Sequence, residues 1–156
     1  MKIDVPREAG PWGGKSGKPF DDGVFSSIEQ VNIFVGNGAV HGIEILYNTK
    51  NGNSVKSKRH GGGGDSGDNV KIYRVKLDCS KEYIVGVMGY YGSFDGNDGN
   101  EALQSITLYS NKGKYGPFGN EIGTAFNSPI SDGKVVGFHG RGGDYLCALG
   151  VHMEYF

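Results

Sequence analysis

A chain of 156 residues, 37% hydrophobic and 21% charged, is the size of one ordinary domain able to bury a core. Its 16 basic and 17 acidic side chains leave a formal net charge of -1, which argues against a nucleic-acid groove or a polybasic membrane patch and in favour of neutral partners. Glycine is the outlier: 29 residues without the three-residue period of collagen, beside only 5 prolines, describe many short strands joined by tight turns.

Met1 to Glu8 is charged throughout and holds no apolar run, so no secretory leader is expected. No stretch approaches the length of a membrane-spanning helix, and the expectation is an intracellular, reducing compartment. Residues 1–9 read as a polar lead and 10–156 as the domain. Gly10-Pro11-Trp12-Gly13-Gly14 and the following Gly17-Lys18-Pro19-Phe20-Asp21-Asp22-Gly23 suggest backbone packed under aromatic rings at a sheet edge. Ser27 to Val35 is a predicted strand whose alternation slips once, the mark of a bulge. Asn37-Gly38 predicts a hairpin turn into a strand from Ala39 to Tyr47, and Asn51-Gly52-Asn53 a second turn into Ser54 to Arg59. The glycine run Gly61 to Asp68 is read as a loop within one domain, because the part before it is too small to fold comfortably alone.

Further strands are predicted through Val70, Ile72, Val75 and Leu77, from Tyr83 to Tyr91, and from Leu103 to Tyr109 after the loop Gly92 to Asn100. Near the end, Val135 to Phe138 is a short strand that breaks over Gly140, Gly142 and Gly143 and resumes with Leu149, Val151, Met153 and Tyr155 at period two. No window holds helical periodicity for the length a stable helix requires, so the class is all-β. Gly116-Pro117-Phe118-Gly119 with Gly123 and Phe126 repeats the pattern of Gly10-Pro11-Trp12-Gly13 with Gly17 and Phe20, which points to repeated units about a pseudo-axis.

Together these glycine-aromatic motifs, Gly123-Thr124-Ala125-Phe126 and Gly137-Phe138-His139-Gly140-Arg141-Gly142-Gly143 resemble the jacalin-related lectins of plants over Gly10 to Tyr155. The resemblance implies a β-prism I fold of three four-stranded Greek-key sheets with pseudo-threefold symmetry, assembled as a homodimer or tetramer. An uncleaved chain without a leader is more similar to the mannose-type, cytoplasmic branch, which implies a cytoplasmic or nuclear location. The resemblance also implies a carbohydrate site built by loops at one end of the prism. Gly17 matches the glycine whose N–H contacts the sugar. Gly99-Asn100-Glu101 matches the middle recognition loop, after an apparent enlargement of the segment before it. Gly143, Asp144, Tyr145, Leu146 and Cys147 match the Gly-x-x-x-Asp loop, where the amides of the residues at Asp144 and Tyr145 donate to sugar oxygens.

The departure is at Cys147, which stands where the family has its final aspartate. A carboxylate can accept two sugar hydroxyls at once, whereas a thiol is a weak donor and a weak acceptor. The expected function is therefore a lectin of mannose/glucose type with weakened or altered affinity. The alternative is a sugar-silent prism domain that mediates protein association, with its loop surface left from an ancestral site. An enzyme is not expected. His41, His60, His139 and His152 are scattered, no Gly-x-Ser-x-Gly elbow is present, Asp21-Asp22 reads as a turn and sheet-edge feature, and the glycine stretches lack a phosphate-loop ending. Cys79 and Cys147 are in no metal-ligand spacing and read as free thiols, so no metal or other cofactor is expected.

Overall fold

The computed structural model describes residues 7–62, 70–128 and 133–156. In chain order the strands are β1 (Arg7–Gly13), β2 (Lys18–Asp21), β3 (Ser27–Gly36), β4 (Ala39–Asn48), β5 (Ser54–Lys56), β6 (His60–Gly61) and β7 (Lys71–Lys76). They continue as β8 (Ile84–Ser93), β9 (Glu101–Ser110), β10 (Lys114–Gly119), β11 (Thr124–Asn127), β12 (Gly133–Gly142) and β13 (Leu146–Tyr155). One turn of 3-10 helix, Asp95–Asn97, is the only helical element among the described residues.

The strands form three antiparallel sheets, ordered β1-β13-β12-β2, β5-β4-β3-β7 and β10-β9-β8-β11. In the second sheet β6 also pairs with β4, so the outermost row is split between β5 and β6 and the sheet still has four rows. Two sheets are uninterrupted Greek keys, with three hairpin-linked strands and a fourth returning beside the first. The remaining sheet has the same order if the chain is read from β12 through β13 to β1 and β2, so both ends of the chain build one Greek key. This is the predicted prism of three four-rowed sheets.

Local chemistry sets the pairings. Asn37 (φ 53) and Gly38 (φ 80) both take the left-handed conformation that a tight two-residue hairpin requires, joining β3 to β4. The slip predicted in β3 is a register shift between Ile28 and Gln30, and Leu77 N–H bonds to Glu29 O at 2.9 Å there. The predicted strand from Ser54 to Arg59 is shorter than expected. Ser57 accepts the Ile45 N–H on its side-chain hydroxyl (2.9 Å), and this bond takes the place of a ladder partner and divides β5 from β6. Arg7 to Ala9 are not a lead ahead of the domain, because they pair with Met153 to Val151 as the start of β1. Within the glycine run, Gly61 belongs to β6 and Gly62 follows it, whereas Gly63 to Asp68 lie outside the described residues.

The terminal hairpin is also longer than its glycines suggest. β12 continues through Gly140 to Gly142 because β2 docks along it, with Gly140 opposite Phe20 and Arg141 opposite Pro19, while β13 pairs on its other side. Pairing on both edges holds extended a segment whose own preference is weak. Only 143–145 form the connecting loop, and β13 resumes at Leu146.

Inner-facing side chains of all three sheets close one core: Ile33, Ile43 and Ile45 from the second sheet, Leu103, Ile106 and Leu108 from the third, and Phe138, Leu149 and Val151 from the first are fully buried. At the three seams, edge strands of neighbouring sheets meet through rings. Trp12 of β1 stacks on Phe126 of β11 (5.3 Å between centroids), Phe118 of β10 packs on Tyr73 of β7 (4.9 Å), and His60 of β6 stacks on Phe20 of β2 (3.6 Å). The repeated Gly-Pro-aromatic motif is thus a seam device, since it supplies Trp12 and Phe118 at register shifts in β1 and β10.

Candidate functional site

Loops from distant parts of the sequence converge where β12 turns into β13. Gly17 adopts φ +79 and lies against the Gly142 backbone so closely that an added methyl group would sit 2.8 Å from Gly142 O. Arg141 fastens this arrangement: its guanidinium donates to Ser16 O (3.2 Å, from Nε) and to Gly17 O (2.8 Å, from Nη2). Gly14 N–H donates to Cys147 O at 2.8 Å and continues the β1–β13 seam into the site. Gly143 N–H closes on Tyr145 O at 3.0 Å, which places Asp144 and Tyr145 at the apex of the turn.

The 3-10 turn brings the middle loop to the same place. Asn97 Nδ2 faces both Glu101 O (3.5 Å) and Cys147 Sγ (3.8 Å). Asn100 is exposed and uses its backbone to close the turn, donating to Asn97 O (2.9 Å) and accepting from Phe94 N–H (3.2 Å). Glu101 opens β9 with its Cβ beside Gly14. Asn97, not Asn100, is therefore the amide side chain aimed at the Gly-x-x-x-Cys loop. The enlargement of the segment before Asn100 was the available signal.

Gly17, Gly143, Asp144, Tyr145 and Cys147 lie together in one loop cluster, and the structure limits what several of them can offer. The Leu146 side chain is fully buried in the core, so only its backbone remains for a ligand. Tyr145 is half-buried, with its ring edge-on to Phe94 (5.1 Å) and to His41 (4.5 Å), and reads as a wall of the site. β6 contributes as well, because a methyl group added at Gly61 would come within 2.7 Å of Leu146 N.

Cys147 itself differs most from expectation. A position for a sugar-binding acceptor would be open to the ligand, yet the residue is 2% exposed. Its sulfur is enclosed by polar groups: Ser16 Oγ donates to it at 3.4 Å, Asn97 Nδ2 approaches at 3.8 Å, and the thiol donates to Tyr145 O at 3.4 Å. Two donors thus point at the position where the family pattern places an acceptor. Both Cys79 and Cys147 are free thiols.

The histidines and the aspartate pair also separate into roles that sequence distance concealed. Asp21 caps the turn by accepting the Gly23 N–H (2.9 Å), as a turn residue should. Asp22 instead lies inside, accepting from Tyr47 Oη (2.6 Å) and bonded to His60 Nε2 (2.7 Å). His139 and His152 are not scattered in space, since their rings lie 4.8 Å apart on one face of the first sheet. Glu8, His139 and His152 place three possible metal-ligand atoms within 4.8 Å of one another, a cluster the sequence reading did not foresee. Among the described residues no helix is long and apolar enough to cross a membrane.

Three Greek-key sheets closed into a prism, with glycine-bearing loops gathered at one end, define a β-prism binding domain. The jacalin-like lectin domain family matches residues 9–152. An agglutinin of Castanea crenata is 49% identical over 156 residues, 100% of this chain and 49% of that protein. Jacalin-related lectin 19 of Arabidopsis thaliana is 39% identical over 145 residues, 93% of this chain and 78% of that protein. A mannose-specific jacalin-related lectin from Morus nigra, solved in complex with mannose, matches with a TM-score of 0.87 at 33% identity, covering 99% of this chain and 97% of that one. The chain belongs to the jacalin-related lectins. It spans about half the length of the Castanea protein.

Proposed function

We propose that this domain binds mannose/glucose-type glycans weakly at the loop cluster around Gly17, Asp144 and Tyr145. The observation that carries the reading is the convergence of Gly17 and the 143–145 turn, held by Arg141, while the sulfur of Cys147 stands between the Ser16 and Asn97 donors. Backbone amides at the turn apex can donate to sugar oxygens. The missing element is a strong acceptor for two hydroxyls, because a thiol accepts poorly. The mannose-specific relative from Morus nigra supports the choice of sugar class. Presentation as a homodimer or tetramer would convert weak single sites into useful avidity, since a second contact forms at high effective concentration. A cytoplasmic location and the absence of catalysis belong to the same reading.

The enclosure of Cys147 favours one other reading, a sugar-silent prism domain used for association with other proteins. Isothermal titration with methyl mannoside, methyl glucoside and methyl galactoside separates the two. The expected result is a mannoside Kd on the order of 1 mM, corresponding to about -4 kcal/mol, with no detectable galactoside binding. Preference for galactoside would overturn the sugar class, and no binding to any of the three would favour the second reading.

A further inference from the structure

Away from the loop cluster, the outer face of the first sheet carries a row of four titratable side chains, one from each strand. Glu8 of β1 stands opposite His152 of β13, and His139 of β12 stands opposite Asp21 of β2. The contacts run diagonally: His152 Nε2 lies 2.8 Å from Asp21 Oδ1, and His139 Nε2 lies 3.5 Å from Glu8 Oε1. Both rings are inside the protein, with side chains 10% and 6% exposed, while the two carboxylates are each 58% exposed. A shallow cavity lined by Glu8, Pro11, Phe20, Asp21, His139 and Arg141 opens over the His139 ring.

His139 Nε2 is buried and makes no hydrogen bond. The ring's backbone hydrogen bond is to Val151, which leaves Nε2 as its unpartnered nitrogen. That is how a metal-binding histidine is held: one nitrogen donates to a carbonyl, which fixes the tautomer, and the other points at the ion. Gly150, directly across from His139, leaves space for the ring, because a methyl group there would sit 2.6 Å from Nε2.

From this geometry we infer that Glu8, His139 and His152 form a site for a divalent transition-metal ion of the zinc type, with Asp21 as the neighbouring second carboxylate. Their ligand atoms lie within 4.8 Å of one another. A tetrahedral zinc ion sets its ligand atoms roughly 3.4 Å apart, so contraction by side-chain rotation, easiest for exposed Glu8, completes the set. Two imidazoles with carboxylates suit zinc, nickel or copper and not magnesium or calcium, which favour oxygen ligands alone. The site is independent of sugar binding and can be tested whether or not the loop cluster binds a glycan.

The test is isothermal titration of the full chain, freed of metal by chelation, with zinc chloride, and with magnesium and calcium chloride as controls. Thermal unfolding with and without zinc is the second readout, since a ligand that binds only the native state raises Tm. Zinc should bind once per chain, magnesium and calcium should not, and Glu8→Gln and His139→Gln should each weaken zinc binding by about tenfold or more. Glu8→Gln alters an exposed side chain, so it remains a fair test if His139→Gln fails to fold. No zinc binding at about 100 µM, where a useful site should be filled, would overturn the proposal, as would equal affinity in wild type and Glu8→Gln.

Discussion

Replacing Cys147 by aspartate tests the sugar site most directly, because the surrounding donors are already in place. A carboxylate at this position would meet Ser16 Oγ and Asn97 Nδ2, now 3.4 and 3.8 Å from the sulfur, and would retain lone pairs for two sugar hydroxyls. If the turn geometry is kept, Cys147→Asp should tighten methyl mannoside binding at least tenfold, which is about 1.4 kcal/mol. At 2% exposure the new charge is not screened by bulk water, so stability should fall even though two donors are at hand. A cost of at least about 1–3 kcal/mol is expected, since that is the scale for an imperfectly satisfied neutral group and a buried charge costs more. For a domain of this size, about 1–3 kcal/mol corresponds to a Tm lowered by roughly 2–12 °C. Isothermal titration and thermal unfolding, run on wild type, Cys147→Asp and the uncharged Cys147→Asn, give both quantities. Cys147→Asn should recover less affinity, since it offers one acceptor oxygen and no charge. Equal mannoside binding by wild type and Cys147→Asp would refute the reasoning by showing that another group already serves as acceptor; no binding by a folded Cys147→Asp would show that the loop cannot accept the sugar at all.

Arg141→Ala should release the loop at Ser16 and Gly17 and weaken any glycan binding several-fold while leaving the fold intact, checked by titration beside circular dichroism. Tyr47→Phe should destabilise the domain by about 2–4 kcal/mol in denaturant unfolding, because Asp22 Oδ2 and the Phe138 N–H would both lose their partner inside the protein. Burial first, and then the charge of Asp22, push the Tyr47 phenol far above its usual range in the folded state. The unfolded chain loses this proton near pH 10 while the folded chain keeps it, so stability should fall as pH rises above about 10, and the slope should be smaller in Tyr47→Phe. Sedimentation at tens of micromolar should show a dimer or tetramer, and a monomer alone would remove the avidity argument.

Much of the strand layout follows from local features of the chain. Asn37-Gly38 specifies its turn because both residues tolerate positive φ, and the slipped alternation after Ile28 specifies its bulge because side chains must keep facing the core. The Gly-Pro-aromatic repeat likewise marked two equivalent places, later seen as the seams at Trp12 and Phe118. These signals are legible because each acts within a few residues. Other outcomes depend on partners that sequence distance hides. β12 runs through Gly140 because β2 docks beside it, and the outer row of the second sheet breaks because the Ser57 hydroxyl takes the Ile45 N–H. In the loop cluster, the resemblance to jacalin-related lectins singled out Gly17 and 143–147, but the roles of Arg141, Ser16 and Asn97, like the enclosure of Cys147, arise only when three distant loops meet. The same holds for Glu8, Asp21, His139 and His152. They are separated along the chain by up to 144 positions, and only a sheet built from both ends of the chain sets them side by side on four adjacent strands.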